Sequence, residues 1–306
     1  MTAPTSMNAI DVVEKIAPPG RRKWKIRLTW SAMFGLAILL LVLVGAAFAP
    51  LISPYDPLDQ VLRDRLKPPG SVGATGVHWL GTDALGRDLL SRLLYGARIS
   101  LLIGVVATIG QTVIGTFLGL VAGHYRGVLD LVIMRLVDMW LTIPFLALAI
   151  ALAAVLGSSI PNIILVLIIT SWVYFTRVVR AEVLSVRERN FIEAARALGA
   201  KDLKIILQHI LPNVANSVLV LSSFQVARTI LSEATLSFLG LGVQPPTPTW
   251  GTMVADGRSF VSSAWWISTL PGIAISLFVL SAILLGSWVR DILDPIRRHR
   301  VQATRL

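Results

Sequence analysis

The sequence predicts an all-α polytopic membrane protein with six transmembrane helices, and three observations carry that prediction. Of 306 residues, 55% are hydrophobic and only 15% are charged. Apolar runs recur that are long enough to cross a hydrocarbon core of roughly 30 Å, which takes about 20 helical residues. Those runs are continuous, whereas the strands of a transmembrane β-barrel alternate over about ten residues. The chain has no cysteine, which excludes a disulfide framework and a thiolate metal site. His78, His124, His209 and His299 are scattered without ligand spacing, so no metal site is expected. In so apolar a chain the net charge of +11 points to basic loops held on one face of a lipid bilayer, and no nucleic-acid partner is expected.

Residues 1–29 form a polar segment ending in the basic cluster Arg21, Arg22, Lys23, Lys25 and Arg27. The first span, residues 30–52, has 23 uncharged residues. That exceeds the apolar core of a secretory signal, about 7 to 15 residues, so an uncleaved span is expected despite the Ala47–Ala49 triplet. Residues 53–98 are a mixed-charge segment on the far side. In its second half Leu85, Leu89, Leu90, Leu93 and Leu94 fall on one side of an expected amphipathic helix over 78–98, lying at the membrane surface.

Residues 99–289 hold the other five spans. The second, 99–123, carries Gly115 and Gly119 in a GxxxG pattern that permits close helix contact. The third, about 129–156, includes Arg135, Asp138 and Pro144, with Asp138 spaced to pair with Arg135. The fourth runs from about 160 to 176, the fifth from 212 to about 241 and the sixth from 265 to 289. Trp265 and Trp266 suit a membrane interface. A basic tail, 290–306, closes the chain.

Between the fourth and fifth spans lies a polar stretch, 189–212. Phe191, Ala194, Ala195 and Leu198 line one face of a short helix. Gly199 stands where a helix C-terminus takes a residue tolerating positive φ. A second stripe of Leu203, Ile206, Leu207 and Ile210 leads to Pro212, which suits a first helical turn. Two short amphipathic helices bent at a glycine make a docking piece rather than a span.

Six spans put both termini on one side. Seven Lys and Arg residues lie between Arg177 and Lys204, six precede the first span and five follow the sixth, while the loop before the sixth has Arg258 alone. The bias places both termini and the 189–212 stretch in the cytoplasm, although the six basic residues of 53–98 run against it.

The sequence contains no phosphate-binding GxxxxGK[ST] loop, nucleophile elbow or HExxH motif, so no catalytic residue is assigned. Ionisable side chains within spans cost roughly 2.5 to 3.5 kcal/mol each at a helix centre, which makes them candidates for a translocation path. Gln225, Arg228 and Glu233 on the fifth span are those candidates. Arg228 and Glu233 are five residues apart and poorly placed to pair with each other.

The 193–199 segment EAARALG, followed by HILPN at 209–213, resembles the EAA loop of binding-protein-dependent ABC transporter permeases. The spacing matches, with His209 where the broad pattern has isoleucine, a form usual in the peptide and nickel subgroup. Residues 78–101, 236–251 and 288–295 resemble further signatures of that subgroup, in the order of its second permease. One departure is ILLGS at 283–287 where the family commonly reads NLLGD.

The resemblance implies an ABC importer type I permease fold in the cytoplasmic (inner) membrane, carrying dipeptides, oligopeptides or a related solute such as nickel. It implies a coupling helix docking a separate ATPase through Glu193, Ala194, Ala195, Arg196 and Gly199. The implied partners are ABC ATPase subunits holding ATP and Mg, a sister permease subunit and an extracytoplasmic solute-binding protein; this chain would be neither an enzyme nor a cofactor carrier. An ion-coupled secondary transporter using Asp138, Arg228 and Glu233, and a structural scaffold, are the competing readings.

Overall fold

A computed structural model describes residues 28–293. The basic N-terminal cluster and all of the tail beyond 293 therefore lie outside the described residues. Helices dominate: α1 (Trp30–Ala47), α2 (Ala49–Ile52), α3 (Leu89–Tyr125), α4 (Gly127–Thr142), α5 (Phe145–Leu156), α6 (Ile160–Arg187), α7 (Asn190–Ala197), α8 (Asp202–Ile205), α9 (Leu211–Phe238), α10 (Trp250–Gly257) and α11 (Trp266–Leu293). A π-turn, Ile206–Ile210, joins α8 to α9. A short antiparallel hairpin pairs β1 (Ser71–Val72) with β2 (Val77–His78).

Among the described residues five helices are long and apolar enough to span a membrane, six if the bent pair α4 and α5 counts as one. That pair is the first correction. The expected third span turns by 93° between Thr142 and Phe145. Pro144 disfavours α geometry at Ile143, which is extended at ψ 124°, so the helix cannot run through. The first span is also interrupted, at Phe48.

The surface helix expected over 78–98 does not form; Leu89–Tyr125 is instead one continuous helix of 37 residues, about 55 Å long. The leucine spacing is helical, but other groups claim the backbone before Leu89. Gly81 and Gly86 sit at φ 82° and 75°, and Asp83 Oδ1 accepts from the amides of Leu85 and Arg87 at 2.8 and 3.0 Å. Asp88 then caps the helix, its Oδ2 taking the Ser91 amide at 2.8 Å. The fourth span extends past the expected Thr176 to Arg187, and the fifth and sixth end at Phe238 and Leu293.

The bundle centres on α3, which packs along its length against α6 and also meets α9. Gly115, Gly119 and Gly123 make the contact with α6: a methyl group added at Gly119 would stand 2.7 Å from Val179 Cβ and 2.9 Å from Thr176 O. The expected GxxxG contact is therefore with α6, and it extends a further turn. On the other side, α11 packs against α1, α9 and α10.

Chain direction gives the bundle two ends. At one, Leu120, Val179, Val183 and Val186 pack with Ile192 of α7 and with Ile205, Ile206, Ile210 and Val214. At the other, Leu89, Met253, Ala264, Trp266 and Ile267 form a cluster under the 53–88 cap. Trp266 is buried and donates from Nε1 to Thr82 O at 3.1 Å, so of the expected interfacial pair only Trp265 faces outward. The start of α1 and the end of α11 lie at the α7 end, since α1 runs antiparallel to α11 with Gly35 beside Leu284.

Candidate functional site: a docking helix and a mid-span arginine

The loop helix α7 buries one side chain, Ile192, against the bundle. The expected apolar face points the other way: Phe191 is 41% exposed and Leu198 87%. Glu193, Ala194, Arg196 and Gly199 are exposed and Ala195 half-buried. Gly199 has φ +79° with open space around it, so backbone conformation rather than crowding favours glycine there. The second stripe splits, with Ile206 and Ile210 turned inward and Leu203 and Leu207 outward. Phe191, Leu198, Leu203 and Leu207 are thus left as an outward apolar row on a polar loop.

His124 Nε2 meets Asp202 Oδ1 at 2.9 Å, and the Arg187 guanidinium donates to the His124 carbonyl. The first contact ties α8 to the end of α3, and the second ties the ends of α3 and α6 together. Because α8, the π-turn and α9 are contiguous, the docking loop is mechanically joined to the whole fifth span.

The three polar candidates on α9 separate. Gln225 and Glu233 are buried within this chain, whereas Arg228 is exposed. Glu233 Oε1 accepts from Ser237 Oγ at 2.7 Å and Thr249 Oγ1 at 3.1 Å, linking α9 to the start of α10. The Arg228 guanidinium lies 4.6 Å from the centre of the Tyr174 ring. Beside it, Thr229 Oγ1 is 3.2 Å from Thr108 Oγ1, and Gln111 Nε2 donates to Leu167 O at 2.9 Å, forming a buried polar contact among α3, α6 and α9.

Asp138 bonds Arg177 at 2.9 Å, not Arg135. Arg177 reaches Asp138 from α6, and Arg135 is exposed. Among the described residues no contact links Asp138, Arg228 and Glu233 to one another, so a direct relay through all three has no geometric support. Sequence reasoning passed over Tyr174, and over Ser232 and Thr235, although the 228, 232, 235 spacing of one helical face was there to read.

In the cap, Asp83 Oδ2 accepts from Arg87 Nε at 2.6 Å and from Arg92. Asp256 joins this group through Arg92 at 3.1 Å, tying the cap to α10. His78 Nδ1 meets Asp88 Oδ1 at 2.9 Å. Asp64 accepts the Ala74 amide at 2.7 Å and Lys67 Nζ at 2.9 Å. The Lys67 hydrogen bond, the Ala74 amide and His78 hold the Asp64 carboxyl below the ordinary carboxylate value, against the opposing effect of burial.

An all-helical bundle of membrane spans, with an exposed loop helix at one end, is the architecture of a transport permease. Residues 115–299 match the family described as binding-protein-dependent transport system inner membrane component. Residues 25–69 match the N-terminal transmembrane domain of oligopeptide transport permease C. The chain belongs to this family of inner-membrane permeases.

It is 43% identical to the di/tripeptide transport system permease protein of Pseudomonas aeruginosa, over 87% of this chain and 88% of that one. It is 40% identical to the glutathione transport system permease protein of Pectobacterium atrosepticum, over 92% and 93%. A chain of the MetNI methionine ABC transporter in an inward-facing conformation shares the fold, with TM-score 0.58 and 16% identity over 66% of this chain and 96% of that one.

Proposed function

We propose that this chain is one membrane subunit of an ATP-driven importer for di- or oligopeptides, or for a related small solute such as a nickel chelate. The observation that carries the proposal is the outward apolar row on the polar loop at α7, with Glu193 and Arg196 beside it. The chain has no phosphate-binding loop of its own. An ATPase subunit docks on α7: Ala194 and Ala195 let its groove approach the backbone, Glu193 and Arg196 meet its rim, and Gly199 sets the bend toward α8. ATP and Mg belong to the ATPase subunits, and this chain performs no chemistry itself.

The push has two routes inward. Ile192 bears on the cluster at the ends of α3 and α6, and α8 continues through the π-turn into α9. Such a lever suits a switch between two global states. A sister permease completes the pore, and an extracytoplasmic solute-binding protein delivers cargo to the cap end. The basic residues around α7 support a cytoplasmic position for it and for both termini. Arg228 faces the translocation path, with Gln225 and Glu233 set behind it.

The test is gentle extraction of the complex. ATPase chains are expected to co-purify, and Gly199→Leu is expected to leave ATP hydrolysis running without matching solute uptake. Extraction without any associated ATPase would remove the basis of the proposal.

A further inference from the structure

Arg228 sits near the midpoint of α9, level with the midpoints of α3 and α6, as the contacts of Thr229 with Thr108 and of Arg228 with Tyr174 establish. Of the other arginines on these helices, Arg98 lies over Tyr95 and Arg187 bonds the His124 carbonyl, while Arg177 has Asp138 at 2.9 Å, Arg180 has Asp130 at 2.5 Å and Arg92 has Asp83. Arg228 has an aromatic ring instead, and no carboxylate of the described residues lies within ion-pair distance of it. Its side chain is exposed in the isolated chain. A guanidinium at mid-span depth is costly against lipid, so this face belongs to water or to another protein surface.

We infer that Arg228, laid on Tyr174, is a carboxylate-binding station for the transported solute, holding a carboxylate of a peptide as it passes. The inference rests on the peptide-importer reading above. The Tyr174 ring holds the guanidinium from one side, and N–H groups turned away from the ring are free to fork onto a carboxylate. A single station of this kind binds strongly enough to admit the anion and lets it leave, as conduction requires.

Ser232 and Thr235 continue the same face of α9 one and two turns on. Their hydroxyls donate to the Arg228 and Leu231 carbonyls at 2.9 and 2.8 Å, leaving oxygen lone pairs to accept from peptide N–H groups. From Arg228 to Thr235 the stripe spans about 10 Å, the length of about three extended residues.

The experiment uses the whole transporter, with its sister permease, ATPases and binding protein, reconstituted in liposomes and supplied with radiolabelled dialanine. Arg228→Gln is expected to assemble normally and to lower dialanine uptake about tenfold or more, the loss of one charge-assisted bond. Arg228→Lys, which keeps the charge, is expected to restore part of it. Equal uptake by wild type and Arg228→Gln would overturn the inference and leave the importer reading standing. Loss of the sister permease from the Arg228→Gln complex would overturn it too, by making Arg228 a subunit contact. If the wild-type complex imports neither dialanine nor a radiolabelled oligopeptide, the peptide reading itself fails and takes the station with it.

Discussion

At the scale of single residues, buried charge dominates the behaviour of the cap. Asp83 is buried and holds Arg87 and Arg92 together, both also nearly buried. Removing its charge leaves two nearly buried cations with only the half-exposed Asp256 as partner, a change that costs up to about 3 to 5 kcal/mol. Asp83→Asn is therefore expected to lower the melting temperature of the solubilised complex sharply, and an unchanged melt would show that Asp256 alone can hold both arginines.

Asp64 makes a pH prediction. Its folded value lies below 3.8, so its contribution is fully present above that unfolded value and is lost as pH falls through the folded one. Hydrogen exchange at the Ala74 amide is expected to stay slow from neutral pH down to about 4, after allowance for intrinsic rates, and to accelerate only below that. Acceleration already at mildly acidic pH would point to another group. The expense of a charge in a span made Arg228 visible in the sequence. Tyr174 was not visible, because it comes from another helix and only packing brings the two together.

At the scale of elements, the glycine face of α3 is the clearest dependence. The 115, 119 spacing was legible because four-residue spacing on a helix marks one face, though neither the extension to Gly123 nor the helix that meets it was. Gly119→Val forces atoms into Val179 and the Thr176 carbonyl. A loss of about 1 to 3 kcal/mol is expected, read as a lower melting temperature or reduced assembled yield; a wild-type melt would mean that the α3–α6 contact is looser than its geometry.

Gly199 should behave differently. It has room for a side chain but not the φ for one, so Gly199→Ala is expected to disturb transport mildly and branched residues more.

Element boundaries were the least legible part of the chain. Five leucines at helical spacing suggested a helix over 78–98, but Asp83, Asp88, Gly81 and Gly86 redirect the backbone until Leu89. The 129–156 span kept its hydropathy while Pro144 broke it. In both cases local hydrogen bonding or a missing helical conformation overrode a correct apolar period.

At the scale of the whole molecule, five of the six expected spans followed from apolar run length, and the sixth is a helix pair bent at Pro144. The division between the two ends did not, because it depends on which clusters α7 and the cap pack against. The resulting proposal is a lever in α7 at one end, a delivery surface at the cap end and a charged face at Arg228 between them.

Its central claim is that ATP hydrolysis in partner subunits, acting through α7, drives transport. The direct measurement is accumulation of labelled dialanine by liposomes carrying the reconstituted complex, with every ion gradient collapsed. The account predicts accumulation that requires ATP and survives the collapse. Uptake driven by an ion gradient in the absence of ATP would contradict it.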